Sequence, residues 1–279
     1  MPTTLHEFKK NKKYLLCVDS DGCAMDTMNI KHFRCFGPCL ADIYGFTENR
    51  QAFLKRWNEI NLFEITRGIN RFVGFATILK EMYPQDKDIL AFDAWAHNAK
   101  ELSEKAVLQE YEATKKQVFK KAYDWSMAVN TSINALSAYD KNAFAGVKEC
   151  LIYAKENFDI AIVSSANYVA VVEEWKRCGL LEHTDVITTQ SDGSKAHCIA
   201  ALIKKGYDKE NVVMCGDAEG DLKAAKTNGV TFYPILVNKE QQSWKNLPEF
   251  LAKFAVGISQ SDKDNLSKAF YSNLHVDEV

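Results

Sequence analysis

YLLCVDSDG, residues 14–22, joins a short apolar run to a polar loop that contains glycine. A continuous apolar run of this length predicts a strand that is buried on both faces, as in a parallel sheet. Two carboxylates follow it directly, Asp19 and Asp21. In an open parallel sheet, ligands bind outside the carboxyl ends of the strands, so this loop is the first candidate for a functional site.

The composition and the spacing of apolar residues change twice downstream of this loop. Residues 30–138 contain few glycines and prolines and carry apolar residues at helical spacing, as in 99–123, which predicts an all-helical segment. From residue 143 onward, short apolar runs alternate with stretches of helical length, and this alternation predicts βαβ units and a parallel sheet. The later predicted strands are 159–165, 186–190, 211–217 and 231–236, and the predicted helices are 143–156, 168–178, 195–205 and 219–227.

The strand at 14–18 belongs with this later sheet, so the α/β core is discontinuous in sequence. We predict a Rossmann-like parallel-sheet core from residues 1–28 and 140–279, with an all-helical domain, residues 29–139, inserted between the two parts. A chain of 279 residues is long enough for this arrangement. Residues 255–279 are weakly patterned and carry no functional prediction.

Composition narrows the class of protein. The chain has 35 Lys and Arg and 37 Asp and Glu, a net charge of −2, which excludes binding to nucleic acid through broad phosphate neutralisation and gives no sign of a membrane partner. Eight cysteines without a CxxC pair predict reduced, buried thiols. Because no signal peptide or bilayer-spanning run is recognisable, we expect a cytoplasmic protein. The sequence leaves the oligomeric state open.

Polar residues also follow the later strands, at the edge where Asp19 and Asp21 are expected. Ser164 and Ser165 follow the second strand, Lys195 opens the helix after the third, and Asp217 and Asp221 follow the fourth. Clustered carboxylates repel one another unless a cation lies among them, and oxygen ligands without His or Cys favour Mg²⁺. Mg²⁺ together with a lysine and hydroxyl donors is a set that binds phosphate groups.

These segments resemble the four motifs of the haloacid dehalogenase-like (HAD) superfamily. VDSDGCAMDT (18–27) resembles the first, DxDGxxxD followed by Ser or Thr, and IAIVSS (160–165) resembles the second, an apolar strand that ends in Ser or Thr. Lys195 suits the third, a lone lysine before a helix, and CGDAEGD (215–221) resembles the fourth, GDxxxD. The inserted helical segment resembles the cap domain found between the first two motifs in the branch of phosphoglycolate phosphatases and β-phosphoglucomutases.

The resemblance implies a Mg²⁺-dependent phosphatase that acts on a small phosphorylated metabolite through an aspartyl-phosphate. Asp19 would be the nucleophile, and Asp21 the general acid and then the general base. The implied metal site comprises Asp19, Asp217 and the backbone carbonyl of Asp21, with Asp221 orienting a metal-bound water or Lys195. Lys195 would stabilise the charged transition state.

The same resemblance implies residues that bind substrate. Ser164 and the amides after it, beginning with Ser165, would hold phosphoryl oxygens. In the inserted domain the candidate contact loop is TRGINRF (66–72), in which Arg67 and Arg71 would meet a second anionic group of the substrate. The alternative is that both arginines are charges on a helix surface.

Three features qualify this interpretation. An acid at Asp21 favours phosphoryl chemistry, because family members that act on carbon need none there. Cys23 replaces the Thr or Val common at its position and is interpreted as a tolerated small side chain. His32, Cys35 and Cys39 fall on one helix face, where they are either core residues or three ligands of a soft metal.

Several other functions stay open. A phosphomutase or a phosphonatase of the same superfamily would use the same core; the mutase would be activated by a bisphosphate, and the phosphonatase would need a cap lysine that the sequence does not single out. A catalytically silent phosphate-binding regulatory protein is a further alternative. Receiver domains carry similar residues in a different order along the chain. A dinucleotide-binding domain is disfavoured because no GxGxxG follows a strand.

Overall fold

The computed structural model describes residues 2–275; Met1 and residues 276–279, which the predicted core boundaries include, lie outside the described residues. The chain forms two compact units. The first comprises the described residues up to Met28 and those from Ala138 onward, and the second is Asn29–Ser137. Ala138 and Tyr139, which the predicted boundaries assign to the inserted domain, fall in the first unit.

The first unit is built on a six-stranded sheet in which all neighbouring strands are parallel. The strands are β1 (Thr3–Thr4), β2 (Tyr14–Val18), β3 (Met25–Asp26), β4 (Asn142–Ala143), β5 (Phe158–Val163), β6 (Val186–Thr188), β7 (Val212–Gly216) and β8 (Thr231–Pro234). The sheet order is β1-β6-β5-β2-β7-β8, and β3 and β4 form a separate antiparallel pair. The predicted Rossmann-like parallel sheet is therefore confirmed, with β1 added at its edge.

Helices flank this sheet and form the whole second unit. They are α1 (Met28–Lys31), α2 (Gly37–Tyr44), α3 (Arg50–Asn58), α4 (Arg71–Met82), α5 (Lys87–Asn98), α6 (Glu104–Thr114), α7 (Gln117–Asn134), α8 (Val147–Ala154), α9 (Tyr168–Arg177), α10 (Lys195–Ile203), α11 (Glu219–Asn228), α12 (Glu240–Val256) and α13 (Gln260–Asn273). The strands and helices predicted between residues 143 and 236 all form, with ends displaced by a few residues. None of the helices within residues 2–275 has the length and apolar character that crossing a membrane requires.

The core of the first unit follows from the alternation of side chains along β2. Leu16 and Val18 are fully buried in a cluster with side chains of α8, α9 and α12. Leu15 and Cys17 are also fully buried, and successive strand side chains point to opposite faces. Burial on both faces explains why this strand is a continuous apolar run.

The second unit has an aromatic core of its own. Trp57 and Trp125 meet edge to face with ring centroids 5.7 Å apart, and Phe75 lies 5.3 Å from Trp125. Phe75 in turn contacts Phe92 at 4.9 Å. Aromatic pairs of this kind contribute about 0.5–1.5 kcal/mol each beyond the area they bury. A separate core is what defines a domain.

One predicted helical stretch is interrupted. Within 99–123, α6 ends at Thr114 and α7 begins at Gln117. Between them Lys115 has a φ of 58°, in the left-handed region that side chains other than glycine rarely adopt. The helical spacing of the apolar residues predicts both helices but does not reveal the break.

Candidate active site

Three of the predicted carboxylates meet at the carboxyl edge of β2 and β7. The strand register pairs Val18 with Cys215, and the backbone N–H of Asp19 donates to the Cys215 carbonyl at 3.0 Å. Asp19, Asp217 and Asp221 are buried, and each offers an oxygen within 4.8 Å of the others. In the part of the chain that the structure describes, this is the one group of three His, Cys, Asp or Glu side chains that converges so closely.

Lys195 supplies the positive charge of this cluster. Its Nζ lies 2.7 Å from Asp19 Oδ1 and 2.6 Å from Asp221 Oδ1. Lys195 is the first residue of α10, and the hydroxyl of Ser194 caps that helix by accepting the N–H of His197 at 3.2 Å. The cap fixes where the helix begins and therefore the direction in which Lys195 leaves it.

The electrostatics of the cluster favour an additional cation. Burial raises the pKa of the Asp19 carboxyl, Asp221 and Asp217 raise it further by repulsion, and Lys195 opposes them. Burial alone would lower the pKa of Lys195, but Asp19 and Asp221 attract its charge and raise that pKa above the usual value. One ammonium group does not balance three carboxylates. The donor set is entirely oxygen, which fits Mg²⁺.

Asp221 connects the cluster to the start of α11. Its Oδ2 accepts the backbone N–H of Ala218 at 3.1 Å, while its Oδ1 contacts Lys195. The carboxylate packs directly on the backbone of Gly216, where a Cβ atom would lie 2.3 Å from Asp221 Cγ. Glycine at this position therefore permits the close approach, which gives a physical reason for the glycine in the GDxxxD pattern.

Gly216→Ala should destabilise the protein by about 1–3 kcal/mol, because the new methyl group overlaps the Asp221 carboxylate and must displace it. Urea unfolding measures the loss. Gly220→Ala is the matched control, since a Cβ at that helical position meets no atom within 4 Å and alanine is the better helix former. An unfolding midpoint of Gly216→Ala equal to that of the unaltered protein would contradict the close packing.

Asp21, the fourth predicted carboxylate, is held by a hydrogen bond from a threonine. The hydroxyl of Thr27 donates to Asp21 Oδ1, and Thr27 is fully buried. The structure thus brings three of the four predicted carboxylates within 4.8 Å of one another, and Asp21 is not a member of that group. Sequence reasoning gave Thr27 no role, although it occupies the last position of the first motif and that position was a usable signal.

Ser164 lies at the same edge of the sheet as Asp19. Val18 pairs with Ile162 across β2 and β5, so Asp19 comes one residue and Ser164 two residues after this pair. The Ser164 hydroxyl is buried and accepts the N–H of Ala166 at 3.1 Å, which leaves its hydrogen to donate. Ser165, the next residue, is exposed.

Arg67 and Arg71 are held by contacts within the second unit. Arg67 is 2% exposed and donates to the carbonyl of Leu62 at 2.8 Å. Arg71 donates to the hydroxyl of Ser126 at 2.9 Å and lies 3.5 Å from a Glu104 oxygen. The alternative that both arginines are surface charges is wrong, because Arg67 is buried.

The residues considered as a soft-metal site belong to the core of the second unit. His32 Nδ1 accepts the indole N–H of Trp57 at 3.1 Å, and the His32 ring stacks on Phe36 with centroids 4.6 Å apart. Cys35 is fully buried. Within residues 2–275, His32, Cys35 and Cys39 do not converge as a metal-binding group.

All eight cysteines lie in the described part of the chain and are unpaired thiols. Cys23 is fully buried, and its thiol donates to the carbonyl of Cys215 at 3.5 Å. Burial raises the pKa of the Cys23 thiol, so it stays protonated. The structure supports the interpretation of Cys23 as a small core side chain.

The first unit is thus a Rossmann-like parallel sheet with buried carboxylates and a lysine at its carboxyl edge, and the helical unit is inserted in the sequence after its first long strand. Residues 86–235, more than half of the chain, match the family model of haloacid dehalogenase-like hydrolases. The chain belongs to this family. The matched range includes Ser164, Lys195, Asp217 and Asp221, whereas the loop with Asp19 precedes it.

The chain is similar to several solved structures. A protein from Lactobacillus delbrueckii subsp. bulgaricus, assigned as a phosphoglycolate phosphatase, is 14% identical, with a TM-score of 0.55 over 86% of this chain and 99% of its own. The haloacid dehalogenase-like protein SP0104 from Streptococcus pneumoniae is 15% identical (TM-score 0.48; 83% and 90% covered). The HAD-hydrolase YfnB from Bacillus subtilis, whose structure contains magnesium, is 13% identical (TM-score 0.44; 80% and 87% covered). Comparison with curated proteins gave no match.

Proposed function

We propose that this protein is a Mg²⁺-dependent phosphatase that hydrolyses a small phosphorylated metabolite through an aspartyl-phosphate. The observation that carries the proposal is the buried cluster in which Lys195 contacts Asp19 and Asp221 beside Asp217. Phosphoryl transfer to a carboxylate requires a positioned nucleophile and positive charge that offsets the phosphate, and this cluster offers both. Membership of a hydrolase family supports the same chemistry.

The metal would be held by Asp19, Asp217 and the backbone carbonyl of Asp21, with Asp221 supporting the site through Lys195. When bound, Mg²⁺ supplies positive charge that reduces the repulsion between a carboxylate nucleophile and the phosphoryl oxygens. Asp217 is buried in the same cluster as Asp19, and a carboxylate buried beside another carboxylate is stabilised by a cation held between them.

In the first half of the reaction, an oxygen of Asp19 attacks phosphorus and the bond between phosphorus and the leaving oxygen breaks. Asp21, in its protonated form, gives its proton to that oxygen, so the product leaves as an alcohol. The hydrogen bond from Thr27 fixes the Asp21 carboxyl for this transfer. Lys195 and the Ser164 hydroxyl hold the phosphoryl oxygens as charge develops on them.

In the second half, water attacks the phosphorus of the aspartyl-phosphate. Asp21, now a carboxylate, accepts the proton of that water. The bond between phosphorus and Asp19 breaks, inorganic phosphate is released, and the Asp19 carboxylate is restored. Asp21 ends protonated, as it began, so the cycle closes without a further reactant.

In this proposal the first unit is the catalytic core and the second is a cap that selects the substrate. Arg71 is the cap residue that we assign to a second anionic group, since its guanidinium group is partly exposed and is fixed in place by contacts within the cap, whereas Arg67 is too deeply buried to meet a substrate. We place the protein in the cytoplasm because its eight cysteines are unpaired thiols.

The test is phosphate release from a panel of small phosphoesters, with Mg²⁺ or with a chelator. We expect release only with Mg²⁺, and we expect Asp217→Ala to raise the Mg²⁺ concentration for half-maximal rate by about 10–100-fold, because it removes a ligand. Asp264→Ala, an exposed aspartate on α13, is the control that should leave the Mg²⁺ requirement unchanged.

Two outcomes would overturn the proposal. Release that persists at full rate in the chelator excludes a metal-dependent mechanism. No release from any ester, with Mg²⁺ bound, instead favours a phosphomutase, a phosphonatase or a silent phosphate-binding protein. Activation by an added sugar bisphosphate then identifies a mutase.

A further inference from the structure

Two buried tryptophans bind the loop 19–24 from different helices. The indole N–H of Trp175, on α9, donates to the hydroxyl of Ser20 at 2.9 Å. The indole N–H of Trp244, on α12, donates to the carbonyl of Cys23, also at 2.9 Å. Both tryptophan side chains are 0% exposed.

The loop itself is a tight turn. The carbonyl of Ser20 accepts the N–H groups of Ala24 at 3.0 Å and Met25 at 2.8 Å. Gly22 makes the turn possible with a φ of 83°. Because these hydrogen bonds join one end of the turn to the other, we expect a displacement of Ser20 or Cys23 to shift the whole turn.

Ser20 is the central residue of the DSD sequence, with one candidate catalytic carboxylate on each side. It is 1% exposed, and a buried hydroxyl without a partner is costly. Trp175 provides that partner from a helix 155 residues further along the chain. The pairing therefore sets the place of Ser20, and with it the directions in which Asp19 and Asp21 leave the backbone.

We infer that Trp175 and Trp244 are positioning residues for the reaction. They hold the loop so that the carboxylates of Asp19 and Asp21 keep the positions and orientations that the reaction requires. The inference rests on the proposed function, because those two carboxylates carry its chemistry. Displacing a reacting group by about 1 Å can cost about 100-fold in rate, so a loop held at two points has a measurable effect on turnover.

The second unit offers matched controls. Trp57 donates to a side-chain nitrogen, His32 Nδ1, at 3.1 Å, as Trp175 donates to a side-chain oxygen. Trp125 donates to the carbonyl of Phe36 at 3.0 Å, as Trp244 donates to a carbonyl. All four indoles are 0% exposed. Replacement by Phe removes one N–H and keeps an aromatic ring, so the four variants should lose similar stability.

The first experiment compares kcat and KM of Trp175→Phe with those of Trp57→Phe, and those of Trp244→Phe with those of Trp125→Phe. We expect kcat to fall about tenfold in Trp175→Phe and Trp244→Phe with little change in KM, and to stay within about twofold in the controls. Equal kcat values in both members of each pair would overturn the inference, because loss of stability alone would then explain the variants.

A double-mutant cycle tests the contact itself. Ser20→Ala removes the acceptor of this hydrogen bond, and Trp175→Phe removes its donor. If the two residues act through their hydrogen bond, the double variant should lose no more kcat than either single variant. Losses that multiply would overturn the assignment, since the two residues would then act independently.

A spectroscopic measurement does not depend on turnover. In the full chain labelled with ¹⁵N-tryptophan, Mg²⁺ should shift the indole N–H signals of Trp175 and Trp244 and leave those of Trp57 and Trp125 in place. If Mg²⁺ shifts these two signals but the protein hydrolyses no ester, the link between the tryptophans and the metal site is supported while the proposed function fails. Turnover by the unaltered enzyme, combined with unshifted Trp175 and Trp244 signals, overturns the inference and leaves the proposed function standing.

Discussion

Asp19→Asn is expected to abolish phosphate release, with kcat falling at least about 1,000-fold, because an amide cannot form the covalent phosphoryl intermediate. The substitution changes the volume of the side chain very little. It also removes one of three mutually repelling buried carboxylates, while Lys195 keeps Asp221 as its partner at 2.6 Å. The folded state should therefore survive, and the loss of activity reports chemistry rather than unfolding.

The measurement pairs steady-state phosphate release with urea unfolding of the same sample. Asp264→Asn, the same change at an exposed position, should keep full activity. Acid quenching of the unaltered enzyme during turnover should trap a protein-bound phosphate that hydroxylamine removes, and the Asp19→Asn variant should trap none. Full activity in Asp19→Asn would exclude Asp19 as the nucleophile.

Lys195→Met is expected to cost about 3–5 kcal/mol of unfolding free energy, because it leaves buried carboxylates without their cation. Lys195 lies within 2.7 Å of both Asp19 and Asp221, and the three side chains are 15%, 6% and 0% exposed. Methionine fills most of the space of the lysine stem, so the loss is mainly electrostatic. Lys223→Met is the control: its exposed pair with Glu219 should contribute less than about 1 kcal/mol.

The same variant should show a characteristic dependence on pH. Burial and repulsion already raise the pKa of Asp19 above its ordinary value, and removal of Lys195 raises it further. The folded state then binds more protons than the unfolded state, so stability falls as pH rises above the unfolded pKa. Urea unfolding of Lys195→Met should therefore show greater stability at about pH 5 than at about pH 7, and added Mg²⁺ should restore part of the loss at the higher pH. Stability that falls on acidification, relative to the unaltered protein, would contradict this account.

The sheet could be predicted because its strands are buried on both faces. Such strands, exemplified by Tyr14–Val18 and Val212–Gly216, appear in the sequence as continuous apolar runs. Thr3–Thr4 could not be found in this way, since a strand of two exposed residues has no apolar pattern and forms only by pairing with Val186 and Ile187. The break at Lys115 likewise has no signal in the sequence, because no glycine or proline lies beside it.

The sequence predicts those residues of the candidate site that come directly after strands of the sheet. Because parallel strands end at the same edge of a sheet, the sequence alone places Asp19 and Asp217 close together. The contact between Trp175 and Ser20 spans 155 residues, and no local pattern encodes it. The burial of Arg67 likewise results from tertiary packing. The local sequence, a charged residue in a polar loop, does not predict it.

The discontinuity of the first unit has a consequence for synthesis on the ribosome. The central strand Tyr14–Val18 pairs with Phe158–Val163 and Val212–Gly216, and both emerge only after the whole of Asn29–Ser137. The helical unit holds its own aromatic core and can fold co-translationally while the apolar run YLLCV still lacks its neighbours. That apolar run is then exposed on the nascent chain, where chaperones can bind it. The length of the helical unit therefore sets the delay between synthesis of the first long strand and formation of the sheet.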